Sequence, residues 1–110
     1  MPTDMSRLSK VQLETIYREI PLSLGRRIVL LDVGGRRDIP AIEHNRNVYC
    51  IGKDADVIWQ IQAVEPTVER DSFVSLTKDE AGTICADRFF GNEFVLDPET
   101  GVANHVGWHK

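Results

Sequence analysis

The chain has 110 residues, of which 42% are hydrophobic, 27% charged and 7% aromatic. That length holds one domain, and the apolar fraction suffices for a core, which excludes wholesale disorder. Thirteen basic against seventeen acidic residues leave a net charge of −4. This is the wrong sign for a general nucleic-acid binder, whose affinity comes from neutralising phosphates.

No apolar run approaches the ~20 residues that cross a bilayer as a helix. Residues 1–10 are polar and lack the apolar core of a signal peptide, so a cytoplasmic, non-membrane protein is expected. Residues 1–8 read as a loose arm, 9–20 as a helix and 26–109 as a β-meander, all within a single domain.

The helix has a defined start. Ser9 is placed as N-cap and Gln12, three residues on, completes a capping box, while Leu8 and Leu13 form a hydrophobic staple. Leu13, Ile16, Tyr17 and Ile20 follow the spacing of one apolar face, and Pro21 stops the helix. From Gly25 the period becomes strand-like. Residues 27–33 (RIVLLDV) are apolar and β-branched, ending at Gly34-Gly35. Residues 38–44 are expected to return as a strand, with Pro40 marking an edge or a bulge.

Residues 47–51 and 56–62 form the next hairpin around a short polar turn. In the second strand Val57, Trp59 and Ile61 alternate with Ile58, Gln60 and Gln62. Residues 65–70 read as a surface loop. The pattern then repeats, with strands at 72–77, 83–89, 93–96 and 102–106. The last hairpin turns at Asp97-Pro98-Glu99-Thr100-Gly101, where Gly101 is expected at positive φ.

The predicted fold is therefore mainly β, one amino-terminal helix followed by an antiparallel meander of six to eight strands, half-propeller-like or a partly open barrel. A closed barrel plugged by the helix is the competing arrangement. The predicted core is Val29, Leu31, Ile51, Val57, Trp59, Ile61, Phe73, Ile84 and Phe94, with Ile16 and Ile20 from the helix.

Two hairpins resemble the outer half of a blade of the quinoprotein-type (PQQ-repeat) β-propeller family. Val48-Tyr49-Cys50-Ile51 through Val57-Ile58-Trp59-Gln60 is similar to its strand, turn and tryptophan-bearing strand. Leu96-Asp97-Pro98-Glu99-Thr100-Gly101-Val102 is similar to its aspartate, threonine and glycine turn. The resemblance spans about 30 residues, and a closed propeller needs roughly four or more four-stranded blades. The first unit lacks the threonine-glycine pair, and His105 stands in place of the second tryptophan. The resemblance implies twisted hairpins; no quinone contact maps onto these residues, and no cofactor is expected.

Chemistry-bearing residues are sparse. Cys50 and Cys85 lie in apolar stretches outside any CxxC or zinc spacing and read as reduced, buried thiols, a bridge or a redox thiol being the alternatives. His105 and His109 would stand ~13 Å apart in an extended chain, too far to share a metal, so no metal site is expected. His44 reads as a loop residue. Asp54 and Asp56, Asp79 and Glu80, and Asp97 and Glu99 fall at turns, where such side chains cap backbone amides.

Arg26-Arg27 and Arg36-Arg37 flank the first strand. Pairing of that strand with its return would gather them near one end of the sheet, as a ligand-binding patch for a phosphate or carboxylate or as a solvated edge. Trp59 is expected in the core, and Phe90 and Trp108 at a contact surface. No nucleophile elbow, zinc-protease or Walker sequence occurs.

These features favour a small non-catalytic binding or assembly module, homodimeric, with room for an unidentified protein partner. The alternative is a small-molecule-binding protein or enzyme that joins the arginines to turn carboxylates. A partly buried polar pocket holding Arg36 or Arg37 beside a histidine would favour the alternative. A smooth core with an apolar edge would favour the module.

Overall fold

A computed structural model describes residues 7–108. The capping box at Ser9 is present: Ser9 Oγ accepts the Gln12 N–H at 3.1 Å and Gln12 Oε1 accepts the Ser9 N–H at 2.8 Å. The helix it opens, α1 (Lys10–Glu14), lasts only five residues. The expected helix over 9–20 is thus half replaced by a strand, β1 (Ile16–Pro21).

The reason is the neighbour. An isolated helix of this length is marginal, whereas β1 pairs along its length with β2 (Arg27–Leu31). A register shift between Ile16 and Arg18 lets two evenly spaced isoleucines reach opposite faces of the sheet. Residue 8, expected in a loose arm, is fixed: Leu8 is buried and its N–H bonds to Ala55 O at 3.0 Å. Residues 1–6 of that arm lie outside the described residues.

The second correction concerns residues 38–44. In place of a return strand they carry a single helical turn, α2 (Ala41–His44), opened by Pro40, whose carbonyl accepts the His44 N–H at 2.9 Å. Proline cannot donate to a ladder, but its fixed φ suits a helix start. The strand beside β2 is instead β3 (Val48–Ile51), followed by β4 (Val57–Gln60).

After the 61–72 connection come β5 (Phe73–Lys78), β6 (Ile84–Arg88), β7 (Asn92–Leu96) and β8 (Ala103–Trp108). The eight strands form two antiparallel meanders, ordered β1-β2-β3-β4 and β5-β6-β7-β8. Each keeps its own edges, so the sheet does not close into a barrel.

One face of each sheet packs on the other. Ile20, Ile28, Leu30, Val48, Cys50, Trp59 and Ile61 of the first meet Phe73, Leu76, Ile84, Ala86, Phe94, Leu96 and Ala103 of the second. The first sheet is also covered on its far face, where Leu8, Leu13, Ile16 and Ile39 lie on Val29, Leu31, Tyr49 and Ile51. Two-sided burial explains the unbroken apolar run of β2, because strands covered on both faces do not alternate. Every predicted core residue is buried except Val57 and Ile16, which are half-buried.

Cross-sheet hydrogen bonds fasten the layers. Gln62 N–H bonds to Gly101 O and Ala103 N–H to Gln62 O, both at 2.8 Å. On the opposite side Arg18 Nε donates to Leu76 O at 2.9 Å. Cys50 is fully buried and Cys85 half-buried, both as free thiols. No helix among the described residues is long and apolar enough to cross a membrane.

Candidate functional site

Two asparagines shape the end of the molecule where the sheets are joined by the 61–72 connection. Asn47 is buried and holds β5 to β2: Nδ2 donates to Leu31 O at 2.8 Å and Phe73 O at 2.9 Å, and Oδ1 accepts the Phe73 N–H at 2.9 Å. Asn45, two residues earlier at the end of α2, ties the connection in a similar way. Its Nδ2 donates to Glu69 O at 2.8 Å and its Oδ1 accepts the Asp71 N–H at 2.7 Å. Together they set residues 69–73 against α2.

Beside them opens a cleft of about 310 Å³. Four separate segments line it. Gly34 to Arg37 come from the turn after β2, His44 from α2, Arg70, Asp71 and Ser72 from the connection into β5, and Phe89 and Phe90 from the β6–β7 turn, with Val74 on β5. Gly35 has φ +75°, a left-handed conformation that glycine takes without strain.

The arginines expected to gather do so only in part. Arg36 and Arg37 line the cleft and are joined by Arg70, whose Nη1 reaches Arg36 O at 3.5 Å. Arg26 and Arg27 are at the other end of β2, roughly 13 Å of strand away. Arg26 bonds to Ser23 and Glu99, and Arg27 to Glu19.

Arg36 grips Asp38 through two bonds of 2.9 and 2.7 Å. The guanidinium's hydrogen bonds hold Asp38 at about 2, well below the usual carboxylate range, and Arg36 is pushed up in turn. Arg37 and Arg70 have no carboxylate within ion-pair distance among the described residues.

The floor is polar and buried. His44, expected in a loop, is 7% exposed and Asp71 3%. His44 Nδ1 stands 3.3 Å from Asn45 Oδ1, and Asp71 Oδ1 accepts the Phe90 N–H at 3.0 Å. Behind Asp71 lies a buried cation: the Arg88 guanidinium sits 4.9 Å from the Phe73 ring and 5.0 Å from the Phe94 ring and donates to Val64 O at 2.8 Å. Burial pushes its pKa down, opposed by the charges of Asp71 and Glu65.

The wall is aromatic. Phe89 and Phe90 meet edge to face at 5.1 Å and remain exposed. Trp108 donates from Nε1 to Phe90 O at 2.9 Å, so the carboxy-terminal strand docks on the same turn. His105 Nε2 stands 2.8 Å from Asn92 Oδ1, an oxygen that can only accept, and its expected neighbour His109 lies outside the described residues.

Among the turn carboxylates Glu99 meets Arg26 at 3.4 Å, away from the cleft, and two aspartates cap their own turns. Asp79 Oδ1 accepts the Thr83 N–H and Asp97 Oδ1 the Glu99 N–H, each at 2.9 Å. The carboxylate that lines the cleft with the arginines is Asp71. His44, Arg70 and Asp71 were not identified from the sequence, since no spacing rule links a helical turn to a loop some 26 residues on.

The chain belongs to a family described as a domain of unknown function, DUF7957, whose model matches residues 10–108. Neither the curated proteins nor the solved structures give a significant match.

Proposed function

We propose that this domain is a small-molecule-binding module whose cleft takes a compact anion with an apolar body. The observation that carries the reading is the convergence of Arg37 and Arg70, both without carboxylate partners among the described residues, with Arg36 and the buried His44 around one partly enclosed space walled by Phe89 and Phe90. Guanidinium groups suit carboxylate or phosphate through paired N–H donors, and phenyl rings suit the rest of such a ligand. The volume is at the lower end for small-molecule sites. The resemblance of two hairpins to propeller blades is read as shared hairpin geometry and brings no quinone with it.

The test is calorimetric titration with 3-phenylpropionate, an aromatic carboxylate of the right size, for which millimolar affinity or better is expected. Arg37→Met and Arg70→Met should each weaken it severalfold, and Arg27→Met should leave it unchanged. Absence of binding at about 10 mM, or equal loss in all three variants, would overturn the reading.

Self-association is a second reading, favoured by one observation. Strand β8 is the last of its sheet, its outer edge bonded at Ala103 to Gln62 and without a partner strand beyond it among the described residues, and Val106, Trp108 and Phe90 beside it are exposed. Unpaired edges invite pairing, most simply with a second copy about a two-fold axis. Light scattering at micromolar concentration should give the mass of two chains; a single-chain mass throughout would sink the idea.

A further inference from the structure

The floor of the cleft presents acceptors that an arginine-lined anion site does not need. Asn45 Nδ2 donates to Glu69 O, which fixes the amide so that Oδ1 faces Asp71 N–H and His44 Nδ1. An amide oxygen only accepts, so the His44 Nδ1 carries a proton and, in the neutral ring, the lone pair is on Nε2. That nitrogen bonds to no described residue, and the cleft is the space His44 lines.

Asp71 repeats the pattern with a charge. Its Oδ1 is committed to the Phe90 N–H, and the Arg88 charge behind it stands beyond ion-pair distance of the carboxylate. A carboxylate 3% exposed is costly unless its oxygens find donors. An imidazole nitrogen and a carboxylate therefore border a space whose rim carries arginines.

Resting on the reading of the cleft as an anion site, we propose that its ligand is an apolar carboxylic acid that also carries an amino or hydroxyl donor. The carboxylate meets Arg37 and Arg70. The donor meets His44 Nε2 and Asp71. A ligand with the acid alone leaves both acceptors to water. A phosphate lacking a donor would do the same.

Three probes that differ at one substituent test this: 3-phenylpropionate, 3-phenyllactate and phenylalanine. Calorimetry on the unmodified protein should find the hydroxyl and amino compounds binding about tenfold tighter than phenylpropionate, the size of one charge-assisted hydrogen bond. His44→Asn keeps a donor toward Asn45 but removes the Nε2 acceptor, so it should narrow the advantage of phenyllactate over phenylpropionate. Should that variant fail to fold, nitrogen NMR of the unmodified protein gives a second readout: the His44 Nε2 resonance should move with phenyllactate and much less with phenylpropionate. Equal affinity for all three, with dependence on Arg37 and Arg70 intact, would overturn the donor-reading floor and leave the anion site standing. No binding of any of them would overturn both.

Discussion

Trp59 lies directly over Gly101, so closely that a Cβ on the glycine would fall 2.5 Å from Cε3 and 2.6 Å from Cδ2 of the indole. The same ring donates from Nε1 to Pro98 O at 2.9 Å. One side chain of β4 thus reads the whole β7–β8 turn, by contact and by hydrogen bond, and ties the two sheets at that corner.

Gly101 also has φ +82°, so Gly101→Ala carries two penalties. The left-handed backbone alone costs an L-residue about 1–2 kcal/mol. Displacing the indole adds an overpacking cost of about 1–3 kcal/mol. Trp59→Ala should itself cost about 3–5 kcal/mol. In the Trp59→Ala background the alanine at 101 should cost only its backbone share. A urea-unfolding double-mutant cycle measures this difference; additive effects would show that the ring does not press on the turn.

Asn47 offers a second test of how the sheets are joined. Asn47→Ala strands the Phe73 N–H and removes a donor shared by the Leu31 and Phe73 carbonyls, all in a buried setting. Each buried group left unsatisfied costs about 1–3 kcal/mol, so a loss of about 2–4 kcal/mol is expected. The denaturation midpoint should fall at unchanged slope. A midpoint within experimental scatter of the parent would mean that water replaces the amide.

Tyr49 predicts an alkaline limit to stability. Burial, with the nearby Glu43 charge adding to it, pushes the phenol up to about 12 from its ordinary 10, although the Gln60 amide hydrogen bond works the other way. The folded chain therefore holds this proton more tightly than the unfolded one. Its contribution is fully present below pH 10 and is lost as pH rises from 10 through 12, amounting to about 2–3 kcal/mol over that window. Tyr49→Phe should flatten stability between those values. A slope identical to the parent's would assign the alkaline transition elsewhere.

Local signals and long-range ones differ in how legible they are. The capping box, the positive φ of Gly101 and the six strands from β3 to β8 are written in neighbouring residues, and they are where the spacing puts them. Residues 16–21 carry a helical spacing that loses to pairing with β2, since six residues gain a ladder of backbone bonds. The apolar run of β2 signals burial, but only the docked amino-terminal segment reveals that both faces are covered. At the site, Arg36 and Arg37 are visible as a pair beside a glycine turn. His44, Arg70 and Asp71 become part of it through Asn45, whose single amide joins residues 44, 69 and 71.

The salt bridge on the rim of the cleft gives the last prediction. Arg36 spends two of its donors on Asp38, at 2.9 and 2.7 Å, and both groups face solvent. The pair is a competitor for any anion, since the Asp38 carboxylate occupies donors a ligand would use and cancels one charge of the rim. Asp38→Asn keeps the side chain's shape and leaves Arg36 charged and free to turn. An exposed pair of this kind is worth little, so the gain in affinity for 3-phenylpropionate should be at most about fivefold. The gain should shrink as salt is raised, because exposed charges are screened over about 10 Å at 0.1 M ionic strength. Calorimetry at low and high salt checks both parts. Weaker binding by Asp38→Asn would show that the carboxylate positions Arg36 for the ligand and does not compete with it.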